Sequence, residues 1–561
     1  MIFEKRIQHI RRYREIAIAF SKSGFGFIVE ELALDEMISL PKRILLRQGK
    51  SDNAEKSRGE RVRLFLEEMG PTFIKLGQIA STRPDLVPDD IINELEQLQN
   101  NVPPFPYEDA VSIIEMSLGA TKDEIFEHIE EKPLGSASIG QVHRGKLLSG
   151  ETVAIKVQRP DIEQTVRNDL EILHRLASLA ESRMNWARQY QVKDMIDEFS
   201  RAILEELDYT IEARNTERLG KQFADDGTVY IPEIYWEATT KNVLTMEYIE
   251  GIRINDFDSI EALGYSRTTL AERVTNAVFH QILIEGFFHG DPHPGNINVL
   301  PGETIAFMDF GMVGKMTKEM KVNFGTLLIS LMKKDADGVV RAIARMGVVP
   351  DDVDMKQLTK DAELLRDKYY DIPLSQMHLG EAVQDLFGIA NQHRIKLPSD
   401  FTILGKTILT LESTVSKLDP EFSIVDVAEP FGRQLLKERY NPKNIAGRAV
   451  DQWTAFSDDL ASASGNLYEF TKALKKRQVP VEIVLKRSEH YMRRLDQLGN
   501  RLSFSIVLLS FSIIMVGLII GQAMSGETNI FWNIPVIEIG FILAMILFMG
   551  MLYAIFKSGR F

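Results

Sequence analysis

Three oxygen-bearing side chains recur here at a spacing suited to moving a phosphoryl group. HGDPHPGN at 289–296 supplies Asp291 and Asn296, and DFG at 309–311 supplies Asp309, 18 residues beyond Asp291. Such chemistry needs Mg²⁺ bridging phosphate oxygens. One carboxylate (Asp309) and one amide oxygen (Asn296) hold the metal, and a second carboxylate (Asp291) positions the attacking hydroxyl or water. VAIK at 153–156 ends an apolar run in one ammonium, Lys156, a means of keeping a cation near nucleotide phosphates. Taken singly, each is ordinary: a Lys closing a strand is usually an edge residue, and DFG is a frequent triplet. Their order along the chain, each in a strand context, carries the reading. His289 and His293 are metal-ligating types, but without further His nearby they read as structural.

These residues need a sheet and helices to hold them. From about 125 to 250, the runs QVHRGKLL, ETVAIKVQ, TVYIPEIYW and NVLTMEYIE read as short strands, interrupted by a helical stretch at about 161–222. From about 266 to 433 the periodicity is helical apart from NINVL and TIAFMDF, two strands around a Pro-Gly turn. The expected fold class is therefore α+β, a bilobal arrangement with a sheet-rich lobe over 125–250 and a helical lobe over 251–435. Residues 1–124 read as a helical extension, broken by Pro71, Pro84, Pro88 and NNVPPFP at 100–106, and residues 436–501 as a polar helical stalk.

With 561 residues there is room for several domains, and a net charge of −14 without a basic cluster sets nucleic acid aside. The complete lack of cysteine excludes disulfides, thiolate catalysis and Cys-ligated metal, so any metal is held by oxygen or imidazole. Residues 502–524 and 539–556 carry no charge, and each is long enough to cross about 30 Å of hydrocarbon as a helix. Arg493, Arg494 and Arg501 precede the first span and Lys557 and Arg560 follow the second, while the intervening turn has Trp532 and neither Lys nor Arg. A hairpin anchor over 502–556 with both ends in the cytoplasm is the expectation, placing the chain in the cell membrane as a multi-pass protein. The basic N-terminal segment reads as an amphipathic helix, either lying on an anionic leaflet or packed on its own domain.

Taken together, these motifs resemble those of the UbiB family, also called ABC1 or ADCK, atypical kinase-like proteins associated with isoprenoid quinone biosynthesis. KLGQ at 75–78 matches its KxGQ element, EELDYTIEARN at 205–215 its second hallmark, and PLGSASIGQVH at 133–143 stands where ordinary kinases have a glycine-rich loop. The resemblance implies ATP and Mg²⁺ as cofactors. It implies nucleotide contacts from Leu134, Gly135, Ser136, Ala137, Ser138, Val142, Lys156, Glu247 and Tyr248, and a Glu212 that pairs with Lys156. It implies a regulatory set in which Glu206 and Asp208 meet Lys75, with Gln78 beside it. On one continuous helix, however, Glu206 points nearly opposite to Asp208 and Glu212, so the three cannot share a partner. Membrane lipid and a quinone precursor, or quinone-biosynthesis proteins, are the implied partners, and a homodimer is left open.

The departures from ordinary protein kinases are equally informative. Gly290 replaces the arginine of HRD, and after DFG the chain passes directly into helix-like MTKEMKVNFGTLLISLM without an APE segment. A platform for protein substrates is therefore not expected. An atypical kinase or ATPase supporting quinone biosynthesis or distribution is the favoured reading, a protein or lipid kinase the alternative, and a nucleotide-gated scaffold the third. The segment between Lys156 and Glu212 exceeds what a kinase lobe needs, so it is expected to cover the site together with the Lys75 helix.

Overall fold

The computed structural model describes residues 2–26, 31, 56–83, 87–98, 103–189, 191–332, 335–347, 349, 353–370, 378–395 and 397–439, with twelve positions between 506 and 549. The chain divides into two units, Met1–Arg448 and Ala449–Phe561.

The first unit begins with α1 (Ile2–Lys22), α2 (Arg58–Met69), α3 (Pro71–Ser81), α4 (Asp89–Leu95) and α5 (Tyr107–Leu118). Tyr13, Ile16, Ala17 and Ala19 of α1 are buried against Phe65, Phe73, Ile172 and Leu176. The Arg12 guanidinium donates to both carboxylate oxygens of Asp169 (2.8 and 3.1 Å) and to the Met69 carbonyl. The described part of the N-terminal helix is therefore packed on its own domain. Pro71 at the first turn suits the start of α3, where its missing N–H would have had no partner.

A five-stranded antiparallel sheet follows, from β1 (Phe126–Ile129), β2 (Gly135–Ser136), β3 (Gly140–Leu147), β4 (Thr152–Gln158) and, later, β6 (Val243–Glu247), in the order β1-β3-β4-β6 with β2 on β3. The two-residue period of β4 buries Val153, Ile155 and Val157 against α5, while Ala154 belongs to the core beneath the opposite face, the face Lys156 shares. Between β4 and β6 lie α6 (Ile162–Arg183), α7 (Asn185–Gln189), α8 (Val192–Glu206), α9 (Tyr209–Gln222) and β5 (Val229–Tyr230). The run TVYIPEIYW does not extend the five-stranded sheet as read from sequence. β5 pairs in parallel with β10 in a second sheet, and Ile234 makes only a bridge to Met246.

That second sheet has the order β5-β10-β9-β7, with β7 (Ile252–Arg253), β9 (Ile297–Leu300) and β10 (Thr304–Phe307). A ribbon of β8 (Phe287–His289) and β11 (Val313–Lys315) lies in the same lobe. Around them stand α10 (Phe257–Ala262), α11 (Arg267–Phe279), α12 (Lys318–Met332), α13 (Ala336–Met346), α14 (Met355–Tyr370), α15 (Leu379–Gln392), α16 (Ser399–Leu418) and α17 (Ile424–Arg439), enclosing the largest apolar core.

Among the described residues no helix is long and apolar enough to cross a membrane. The stalk at 440–500 lies outside the described residues, as does most of 502–524 and 539–556. The positions described within the two segments are helical, and Ile506, Leu509, Ile513, Val516 and Ile520, like Ile542, Met545, Ile546 and Met549, are exposed at a helical spacing of three and four.

Candidate active site

The catalytic-type loop is built outward from His289. Its buried ring donates through Nε2 to the Met308 carbonyl (2.9 Å) and accepts the Asp291 amide at Nδ1 (3.0 Å). Burial lowers its basicity, so the neutral ring serves as a strut tying this loop to the segment before DFG. A Cβ on Gly290 would lie 2.7 Å from Met312 Cγ and 3.0 Å from Ile403, so an arginine has no room there. His293 accepts the Gly295 amide at its own Nδ1 (3.0 Å), a local turn. The Asn296 side-chain amide donates to the Asp291 carbonyl (3.2 Å), which leaves its oxygen as an available ligand.

β9 and β10 bring the second loop alongside. Their register places Phe307 opposite Ile297, and the Met308 amide donates to the Asn296 carbonyl (2.8 Å), so Asp309 follows directly beside Asn296. Asp309 has a left-handed φ of 57°, unfavourable for a residue with a Cβ, and its Oδ1 accepts the Gly311 amide at 3.2 Å. Phe310 is fully buried, edge-on to His289 at 5.5 Å. The Lys156 ammonium, with help from the Gly311 N–H and Lys75, holds the Asp309 carboxyl down to about 2.

Lys156 Nζ donates to both carboxylate oxygens of Glu212 (2.8 and 3.1 Å). Burial opposes the Lys156 charge, but Glu212 and Asp309 outweigh it and raise the ammonium well above its ordinary value. Burial also raises Glu212, with Lys156 pulling the other way. Tyr209 lies 1% exposed with its ring 5.2 Å from the ammonium, and its hydroxyl has no hydrogen-bond partner among the described residues. Over this cation, β2 and β3 form a tight hairpin in which Ala137 N–H donates to Gly140 O (2.7 Å) and Leu134 N–H to Val142 O (2.8 Å). Val142 is the register partner of Lys156. Gly135 lies on the exposed outer strand and Ser138 is buried in the turn. The Ser136 hydroxyl is taken by Arg159, which also binds the Ala137 and Pro103 carbonyls and so fastens the loop to the segment before α5. At the end of β6, Tyr248 N–H donates to Thr152 O (3.0 Å), and the Glu247 carboxylate accepts the Tyr230 hydroxyl (2.8 Å). The Glu247 side chain thus holds a neighbouring strand.

The regulatory set is split. Lys75 pairs with Glu206, the last residue of α8. Asp208 does not meet Lys75: it caps α9, accepting the Thr210 amide (3.0 Å) and hydroxyl (2.7 Å). The chain breaks between α8 and α9 at Leu207 and Asp208, which removes the continuous-helix expectation and lets Glu206 and Glu212 act on the same corner. Gln78, on the same helix as Lys75, donates to the Leu98 carbonyl (3.2 Å). A Cβ on Gly77 would sit 2.4 Å from Leu98 and 2.7 Å from Leu66, so glycine lets α3 press against those neighbours.

Sequence reasoning passed over Lys406, whose Nζ lies 3.0 Å from Asp291 Oδ2, and over Tyr209 and Arg159. Tyr209 lies within the matched run 205–215 and Arg159 three residues beyond VAIK, so both were traceable by position, whereas nothing local to GKT at 405–407 points to Asp291.

The donors fit Mg²⁺. One ionised carboxylate, Asp309, and one free amide oxygen, Asn296, are the few protein ligands this ion takes when phosphates complete its shell. Among the described residues no group of three or more His, Asp or Glu side chains forms a self-sufficient metal cage.

Three family models match in succession: the ABC1 atypical kinase-like domain over 97–343, the UbiB helical domain over 363–423 and the ABC1/UbiB kinase-like C-terminal domain over 486–557. The chain is 30% identical over 554 residues to an uncharacterised protein of the hydrogenase 1 5′ region of Clostridium pasteurianum, covering 98% of this chain and 99% of that one. It is 36% identical over 411 residues to the probable protein kinase UbiB of Pseudomonas aeruginosa, covering 72% and 76% respectively. It is 33% identical over 477 residues to the chloroplastic Activity of bc1 complex kinase 7 of Arabidopsis thaliana, covering 82% and 68%. With the Lys156–Glu212 pair and the two oxygen-bearing loops in one α+β kinase-like fold, the chain belongs to the UbiB/ABC1 family of atypical kinase-like proteins.

Proposed function

We propose that this protein is a membrane-anchored enzyme that binds Mg-ATP and spends its γ-phosphoryl group in support of isoprenoid quinone biosynthesis or distribution. The observation carrying this reading is the cluster in which the Lys156 ammonium pairs with Glu212 and holds Asp309 ionised, beside Asp291 and Asn296. Lys156 holds nucleotide phosphates, and Glu212 keeps that ammonium charged and aimed. Asp291 orients the acceptor hydroxyl and receives its proton as the new oxygen–phosphorus bond forms and the bond to the β-phosphate oxygen breaks, releasing ADP. Mg²⁺, held when bound by Asp309 and Asn296, offsets the charge of the phosphate oxygens.

The short path from Gly311 through β11 to α12 leaves no long segment to seat a peptide. Water or a small hydroxyl compound is accordingly the favoured acceptor. The charge-free segments 502–524 and 539–556, their exposed apolar positions and the C-terminal family match support the anchor. The quinone link rests on family membership.

Radiolabelled ATP turnover by the purified full chain in nanodiscs, with and without phenolic quinone precursors, tests the reading. Mg-dependent phosphate release that rises with the phenol is expected. Label transferred to added protein instead would support the kinase alternative, and Mg-ATP binding without turnover would favour the nucleotide-gated scaffold.

A further inference from the structure

Asp291 meets a cation from far outside its own loop. Lys406 Nζ donates to Asp291 Oδ2 at 3.0 Å, with the two side chains 25% and 29% exposed. The loop itself supplies no such cation, because His293, two residues beyond Asp291, turns its Nδ1 onto the Gly295 amide. Lys406 is carried by α16, and α16 is keyed to the loop along its length. Thr407 Oγ1 donates to the Ile403 carbonyl of its own helix (2.9 Å) and lies 3.2 Å from the Gly290 carbonyl, Thr414 Oγ1 donates to the Thr410 carbonyl (2.8 Å) and lies 3.5 Å from that of Pro292, and Ile403 packs where a Gly290 Cβ would stand. A long, flexible lysine is thus launched from a fixed point, and its ammonium reaches one oxygen of the base while leaving the other for an acceptor. Glu96, on the turn after α4, feels the same corner: partial burial raises its carboxyl, Lys406 lowers it and Asp291 raises it.

We propose that Lys406 is the positioning residue of Asp291, holding the carboxylate aimed at the acceptor hydroxyl. The proposal rests on the phosphoryl-transfer reading above. During the step the acceptor proton passes to Asp291, the acceptor oxygen bonds to the γ-phosphorus, and ADP departs with the electrons of the broken bond. Lys406 exchanges no proton. Its ammonium sets the direction of the Asp291 oxygen, so its loss acts on the rate of the step and spares nucleotide binding.

The test uses the full chain in nanodiscs as wild type, Lys406→Met, Lys406→Gln, Lys406→Arg, Asp291→Asn and the Asp291→Asn/Lys406→Met double variant. Lys406→Met and Lys406→Gln should lower kcat roughly 10²-fold while KM and Kd for Mg-ATP stay within about twofold. Lys406→Arg should restore most of the rate, and Lys406→Met should add nothing in the Asp291→Asn background. Mg-ADP–aluminium fluoride, which imitates the transferring phosphoryl group, should bind more weakly to Lys406→Met in proportion to the lost rate. That titration decides the matter even if turnover is slow. Unchanged kcat with unchanged analogue affinity, an equal loss of Mg-ATP affinity, or full additivity with Asp291→Asn would overturn the role. A wild type that binds no Mg-ATP would instead defeat the nucleotide reading, whatever Lys406 does.

Discussion

Lys156 Nζ lies 2.8 and 3.1 Å from the two carboxylate oxygens of Glu212, although a strand and a helix 56 positions apart carry them. Glu212 is buried and Lys156 half-buried, and each charge is compensated mainly by the other. Removing the cation strands a buried carboxylate, so Lys156→Ala should lower stability by about 3–5 kcal/mol. Loss of a charged phosphate contact, worth about 1.5–3 kcal/mol, should weaken Mg-ATP binding roughly 10- to 100-fold. Chemical unfolding and nucleotide titration of Lys156→Ala and Glu212→Gln measure both. Unaltered ATP affinity in Lys156→Ala would remove Lys156 from the phosphate site.

Lys156 keeps Asp309 ionised, and in the function proposed above this carboxylate holds Mg²⁺. Asp309→Asn preserves its size and removes the charge, so the thermal stabilisation by Mg-ATP should be abolished while that fold's melting without ligand changes little. A full Mg-ATP shift in the variant would place the metal elsewhere.

The helix carrying Lys75 and Gln78 reaches the site through the Lys75–Glu206 pair, while Gln78 ties it to the Leu98 carbonyl. Lys75→Ala and Gln78→Ala are expected to change ATP affinity or to raise self-phosphorylation, with the fold intact. Phosphate incorporation and ATP titration of both variants beside wild type provide the comparison. Identical values in all three would reduce α3 to a passive cover.

Acid should loosen the loop through His289. Burial depresses its folded-state basicity, so above its ordinary value near 6.5 the ring is neutral folded or unfolded and exacts no penalty. Below that pH the unfolded chain takes up a proton that the folded ring refuses, and stability falls with pH until the depressed folded value is reached. His143, lowered by burial in the same sense, adds to the slope. Urea unfolding of the full chain at intervals from pH 7.5 to about 5 should therefore show falling stability. The slope should be shallower in His289→Gln, and an equal slope would assign the effect to other groups.

A membrane hairpin over 502–556, as proposed, predicts opposite sides for two reporters. A fusion after Phe561 should report cytoplasm, and one inserted near Thr528 should report the far side. Both on one side would rule out two spans.

Much of the site was legible because its chemistry is carried by short, ordered motifs. Lys156 on a β-branched run, Asp291 and Asn296 in one loop, and Asp309 after the next strand are each specified within a few residues of local pattern. The β9–β10 hairpin was readable for the same reason: two apolar strands around a Pro-Gly turn have few other ways to pair.

Periodicity reports which face of an element is buried, but it does not name the partner across the core. Read as one helix, residues 205–215 set Glu206 and Glu212 apart. The Asp208 side chain, spent on the Thr210 amide, splits that helix in two and brings both acids to one corner. The run at 228–236 has strand composition in either sheet, and only the packing of β10 against it decided which. Lys406 joins Asp291 across 115 positions, a pairing set by how α16 docks on the loop. Local sequence determined what the reactive groups are; the docking of distant elements, fixed by close packing of their buried faces, decided which charges meet.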